Sequence, residues 1–212
     1  MNDAASGSLD PKGPSAEAIA DLWWLMLALG VAVFVLFAVL LAVGLFRRRP
    51  ADESAEGRQP SEKRWIVAGG VVLPVVVLTV VFGATVAAMR AMPNESPPEA
   101  LVVEITGHQW WFEVSYPEEG VTVTDELHLP VGRPVTLRLT SADVIHSFWV
   151  PELGGKMDML PDGVNVLQLR ADEPGEWGTQ CAEFCGLEHA TMRVHVVAES
   201  PAAFATWIEQ QQ

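Results

Sequence analysis

The chain has little cysteine and little positive charge. Two cysteines stand among 212 residues, so at most one disulfide is available. Thirteen Lys and Arg face 27 Asp and Glu, a formal net charge of −14. Beyond residue 90 the imbalance is 19 acidic to 5 basic side chains. A field of that sign opposes nucleic acid and anionic lipid surfaces and favours cationic partners. Glycine and proline are too sparse for a low-complexity chain, and no internal repeat is present. The first 21 residues have no basic start leading into a short apolar stretch with a nearby cleavage site. They read as a short external arm rather than a secretory signal.

Charge is missing altogether from two long segments. Leu22–Phe46 and Trp65–Met89 are each 25 residues without a charged side chain. At the α-helical rise each extends about 37 Å, enough to cross a hydrocarbon core. Trp23 and Trp24 lie at one edge of the first run, as interfacial anchors do. Residues 47–64 between the runs hold Arg47, Arg48, Arg49, Arg58, Lys63 and Arg64, whereas the first 21 residues hold only Lys12. Positive charge collects on the cytoplasmic side. The spacing therefore predicts a transmembrane hairpin over 22–90, with a cytoplasmic loop at 47–64 and both chain ends outside.

A proline-rich linker over 91–99 leads to a different pattern. Strands are predicted at 101–106, 110–116, 126–129, 135–140, 144–150, 164–169 and 192–197. Pro- and Gly-containing turns separate them. Strands this short and this closely spaced suggest an antiparallel sandwich or barrel over 100–212, closed by a short helix at 201–212. Trp110 and Trp111 alternate on a predicted strand, one side chain inward and one outward.

The two cysteines sit in Cys181-Ala-Glu183-Phe-Cys185-Gly-Leu-Glu-His189-Ala-Thr-Met192. Two thiols, an imidazole and a thioether thus fall within twelve residues. His146, in Asp143-Val-Ile-His146-Ser-Phe-Trp, supplies a second imidazole. Soft sulfur with imidazole suits copper better than calcium or magnesium. A mononuclear blue-copper site uses one cysteine, and here there are two, so one loop has the thiolates to bridge a metal pair. A disulfide, or a zinc site with His189, is open to the same residues. His108, His128 and His195 have no ligand spacing.

With these motifs in place, the chain resembles subunit II of cytochrome c oxidase, the haem–copper terminal oxidase. The likeness runs through Gly107-His-Gln-Trp110-Trp-Phe, Asp143-Val-Ile-His-Ser-Phe-Trp-Val-Pro and Gly175-Glu-Trp-Gly-Thr-Gln-Cys, and it covers about residues 15–209. It implies a two-helix transmembrane hairpin followed by an all-β, cupredoxin-like sandwich or barrel with a dinuclear copper A centre. In that family pattern Cys181 and Cys185 bridge both coppers. His146 and Met192 complete one copper, and His189 and the Glu183 backbone carbonyl complete the other. The Glu183 side chain reaches a magnesium ion at the catalytic-subunit interface. Trp110 is the electron entry, Asp143 meets a lysine of the donor, and Glu62 serves proton uptake. The implied partners are the catalytic subunit I, which carries the haem, subunit III, cytochrome c and the lipid bilayer. The implied location is the bacterial inner membrane, with the copper domain on the periplasmic side.

Two features depart from the family pattern. Pro161-Asp162-Gly163 stands where Pro-Gly-Arg is usual, and the proline after Trp65 comes late. No Cys-x-x-Cys-His motif for an attached haem is present. The rival classes are a membrane-tethered copper storage or delivery protein and the related quinol-oxidase subunit, which shares the scaffold without the copper ligands.

Overall fold

The computed structural model describes residues 7, 9–47, 62–93 and 96–212. It divides into a helical unit, Asp21–Arg90, and a β unit of Ala91–Gln212 joined by the first 20 residues. The basic residues Arg48, Arg49 and Arg58 lie outside the described residues.

Helix α1 runs Pro14–Phe46. Proline's fixed φ suits the first helical position, so the helix starts eight residues before the predicted span, inside the predicted arm. Ser15, Ala16 and Ala20 are buried in the β unit. The second run is not one uniform helix. Glu62–Val67 forms α2, Ala68–Val72 widens into a π-helical turn, and Leu73–Ala91 forms α3. Pro74 explains the widening, because it carries no N–H and its ring crowds the carbonyl one turn back. Both runs expose their apolar side chains, Phe34, Phe46, Trp65 and Phe82 among them, and both are long and apolar enough to cross a membrane.

Among the described residues the β unit holds ten strands: β1 (Leu101–His108), β2 (Trp111–Tyr116), β3 (Val121–Thr124), β4 (Glu126–Pro130), β5 (Val135–Ser141), β6 (His146–Phe148), β7 (Met157–Met159), β8 (Asn165–Leu169), β9 (Gly175–Gly178) and β10 (His195–Glu199). They form a five-stranded sheet in the order β3-β2-β1-β5-β8, a three-stranded sheet β4-β10-β9 and the ribbon β6-β7. Two pairings, β1 with β5 and β10 with β4, are parallel. The expectation of an all-antiparallel domain fails at these crossovers, which alternation within single strands does not reveal. β3, β7 and β9 lie outside the predicted strands; β9 begins at Gly175, within the turn signal Glu173-Pro174-Gly175. Trp110 lies in the β1–β2 turn rather than on a strand, and Trp110 and Trp111 are both half-buried.

Leu101, Val103 and Ile105 alternate inward along β1 and Phe112, Val114 and Tyr116 along β2, all wholly buried. Each such large side chain contributes about 1.5–3 kcal/mol of burial free energy. Tyr116 Oη donates to the His128 carbonyl at 3.0 Å and accepts the His128 N–H at 2.7 Å, tying β2 to β4 across the core. Helix α4 (Pro201–Gln211) starts at the Ser200 cap, which accepts the Ala203 N–H at 3.2 Å. It buries Phe204 and Ile208, four apart on one face. Trp207 stacks on the His128 ring at 3.9 Å. His128 is thus a core histidine, held by Glu126 at 2.8 Å and Glu199 at 2.6 Å.

Candidate metal centre

The parallel β1–β5 register sets Gly107 opposite Ser141. The Ala142 N–H then donates to the Gly107 carbonyl at 2.9 Å. That fixes the start of the short segment leading to His146. A Cβ on Gly107 would lie 2.8 Å from His146 Cδ2 and 3.0 Å from Cγ, so a glycine is required beside the ring. The other donors come from the loop between β9 and β10. Its neck is closed by Cys181 N–H to Met192 O at 3.1 Å and Thr179 N–H to Val194 O at 2.8 Å. Ala182 N–H to Ser147 O at 3.0 Å pins the loop to β6, next to His146.

The predicted ligands converge. Cys181 Sγ lies 3.7 Å from Cys185 Sγ, 3.9 Å from His146 Nδ1 and 3.3 Å from the Glu183 carbonyl. Cys185 Sγ lies 3.7 Å from His189 Nδ1 and 3.7 Å from Met192 Sδ. His146, both cysteines and Met192 are buried, and His189 is half-buried. The cysteines are free thiols. Ligands about 2.0–2.3 Å from a shared ion at tetrahedral angles sit roughly 3.3–3.8 Å apart. The donor spacings match that figure closely, and the soft donor set matches copper. Burial, with the Cys181 thiol alongside, pushes the Cys185 thiol up to about 12. Without an ion it stays protonated.

Asp143 links the metal loop's neighbours. Its Oδ1 accepts from His146 Nε2 at 2.8 Å and from the Val144 N–H at 2.6 Å; its Oδ2 accepts the Gln109 N–H at 2.7 Å. Burial alone would raise its carboxyl, but these hydrogen bonds outweigh it and hold the group below the usual carboxylate range. A carboxylate on the far nitrogen of a ligating imidazole fixes the tautomer and ring orientation. Trp110 meets the same loop: its Nε1–H donates to the Cys185 carbonyl at 3.3 Å, beside Gln109 Nε2–H at 2.8 Å.

The Glu183 side chain is half-exposed and faces Lys156 Nζ at 3.7 Å. Lys156 also donates to the Ala182 carbonyl at 3.4 Å. Glu62 opens α2, and its side chain lies outside the described residues. Gly107, Gln109, Gly186 and Lys156 had no role assigned from sequence. Their partners lie 26 to 76 residues away for Lys156 and Gln109, beyond any local pattern. Gly107 and Gln109 stand within the Gly107-His-Gln-Trp110 motif and Gly186 beside Cys185, but the motif assigns none of them a contact.

The family model of the periplasmic domain of cytochrome c oxidase subunit II matches residues 119–199. Cytochrome c oxidase subunit 2 of Alkalihalophilus pseudofirmus is 35% identical over 210 residues, covering 95% of this chain and 61% of the relative. The chain therefore spans less than two thirds of that relative's length. Quinol oxidase subunit 2 of Bacillus cereus is 31% identical over 212 residues, covering 96% of this chain and 72% of the relative. The crystal structure of the periplasmic domain of cytochrome oxidase subunit II from Bradyrhizobium japonicum superposes with a TM-score of 0.53 at 28% identity, covering 55% of this chain and 96% of that one. With a cupredoxin-like β unit, two apolar helices and relatives aligned over nearly its whole length, the chain belongs to the subunit II family of the cytochrome c and quinol oxidases.

Proposed function

We propose that this chain is the electron-transfer subunit of a respiratory cytochrome c oxidase, built to hold a dinuclear copper A centre. Single electrons enter from cytochrome c near Trp110 and leave on the His189 side toward haem in a catalytic subunit, where oxygen is reduced to water. The chain alone does not reduce oxygen. One observation carries this proposal: two thiols, two imidazoles and a thioether meet within 3.7–3.9 Å of one another along a chain of neighbours, His146 arriving from a separate segment. Cys181 and Cys185 would bridge the ions, with His146 and Met192 at one and His189 and the Glu183 carbonyl at the other. When bound, the copper pair supplies one-electron chemistry with little change of geometry.

The chain's own residues prepare that site. The thiols, His146 and Met192 are buried, which keeps water from the donors. Asp143 orients His146, and Trp110 rests on the backbone of a bridging cysteine. A cavity of about 520 Å³ opens beside the donors, lined by Trp149, Lys156, Gln180, Cys181, Ala182 and His189. This is the face offered to the catalytic subunit, and there Glu183 would share a magnesium ion with it. The excess of basic residues over 47–64 supports a cytoplasmic loop and a β unit in the periplasm of a bacterial inner membrane. Glu62 takes the role of proton uptake at the inner end of the second span, and subunit III completes the assembly.

The test is copper loading of the full chain in detergent. Two coppers per chain with a purple colour and a mixed-valence spin signal are expected. One copper, or a blue mononuclear spectrum, refutes the assignment. Identity to a quinol oxidase subunit 2 favours a second role, quinol oxidation. The complete donor set speaks against it, since the quinol branch dispenses with the copper ligands. Turnover of the purified oxidase with reduced cytochrome c, and none with a quinol, separates the two.

A further inference from the structure

We infer that Gln109 is a positioning residue that seats the Trp110 indole on the Cys185 carbonyl, and that this seat sets the rate of electron entry. The second half rests on the role proposed for Trp110. Gln109 is exposed, so no packing demand explains its contacts. It is nevertheless tied at both ends. Its backbone N–H donates to Asp143 Oδ2 at 2.7 Å, on the segment that carries His146. Its side-chain Nε2–H donates to the Cys185 carbonyl at 2.8 Å, on the loop that carries both thiols.

The same carbonyl accepts the Trp110 Nε1–H at 3.3 Å. A carbonyl oxygen has two lone pairs and can serve both donors. The indole bond lies beyond the usual range for N–H···O, whereas the amide bond is near its optimum. The indole is half-buried, so packing alone does not fix it. The amide bond therefore anchors the turn and the indole follows. Gly186 leaves the room this requires. Its φ is +129°, and a Cβ there would come within 3.1 Å of indole Cζ2 and Nε1 and 3.2 Å of Gln109 Nε2.

Gln109→Leu keeps the side-chain bulk and removes the donor. Two measurements test it. In the metal-free full chain in detergent, with ¹⁵N-labelled tryptophan, the Trp110 indole resonance is identified by its loss in Trp110→Phe. It should move or broaden in Gln109→Leu. In the purified oxidase, kcat with cytochrome c should fall severalfold with KM unchanged, since electron tunnelling slows as the gap between donor and acceptor widens. A residue that merely docked the donor would raise KM instead. Gly186→Ala, which crowds the indole and the Gln109 amide alike, should give the same two signatures. An unmoved indole resonance in Gln109→Leu overturns the proposal, as does a raised KM at constant kcat. If Trp110→Phe itself leaves kcat intact, the entry role of Trp110 falls, and the indole resonance alone then decides whether Gln109 seats the ring.

Discussion

Replacing Gly107 by alanine tests whether the β1–β5 register builds the proposed metal centre. The added Cβ would stand 2.8 Å from His146 Cδ2, 3.0 Å from Cγ and 3.2 Å from Cβ. All three atoms belong to a wholly buried side chain, its ring packed edge-on against Phe112 at 6.3 Å. The ring has no solvent to retreat into, so either it turns or β1 moves away from β5. Overpacking of this kind costs about 1–3 kcal/mol. Turning the ring also loosens the 2.8 Å bond from Nε2 to Asp143, roughly another 1 kcal/mol. A loss of about 2–4 kcal/mol is expected in urea unfolding of the metal-free full chain. Copper affinity should fall by roughly 10–100-fold, as it does when outer-shell support of a ligating histidine is disturbed. Gly178→Ala is the control, because a Cβ there meets nothing within 4 Å; it should stay within about 0.5 kcal/mol. If Gly107→Ala unfolds and binds copper like the parent chain, the close approach of β1 to His146 is not what orients that ligand.

Asp125 sits at φ +55° and accepts the Phe112 N–H at 2.7 Å while burial raises its carboxyl above the usual range. The folded chain thus binds this proton more tightly than the unfolded one, and wild-type stability is lost as pH rises from about 4 through the folded value. Asp125→Asn keeps the acceptor and tolerates the backbone, so its stability relative to wild type should rise through that window and then level off; Asp125→Ala should lose about 1–2 kcal/mol below the window, a deficit that narrows through it. Tyr116→Phe leaves the buried His128 N–H without its 2.7 Å acceptor, and the urea midpoint should report a loss of about 1–3 kcal/mol. Copper loading must strip the proton from Cys185, whose thiol is pushed up to about 12. Weakly buffered dye titration should therefore show at least about one proton released per chain, and affinity should rise with pH.

Much of the candidate site was legible because it is local. Cys181, Cys185, His189 and Met192 lie in one loop, and a four-residue spacing of thiols beside an imidazole restricts the metals that fit. Charge-free runs mark the apolar helices just as directly. The parallel pairings were not legible, because strand alternation reports which face is buried and not which neighbour lies alongside. The early start of α1 was hidden for another reason: Pro14–Ala20 is polar enough to read as an arm, yet Ala16 and Ala20 are small enough to bury against the β unit. β7 spans three residues, too few to establish a period.

Asp143 shows what separates a motif from a site. The family resemblance makes it an acid near the electron-entry face that meets a lysine of the donor. In the fold both its oxygens are committed, one to His146 and Val144 and the other to the Gln109 backbone. Its side chain is only 31% exposed. Removing its charge would thus disturb a proposed ligand and the turn that carries Trp110 together, before any effect on docking is felt. Long-range attraction for a cationic donor does not need this one residue, since 19 acidic side chains lie beyond residue 90 and the field at a distance is their sum. Orientation of His146 does need it, because among the described residues no other side chain is hydrogen-bonded to that Nε2. The local role is therefore the one that substitution at Asp143 should expose first.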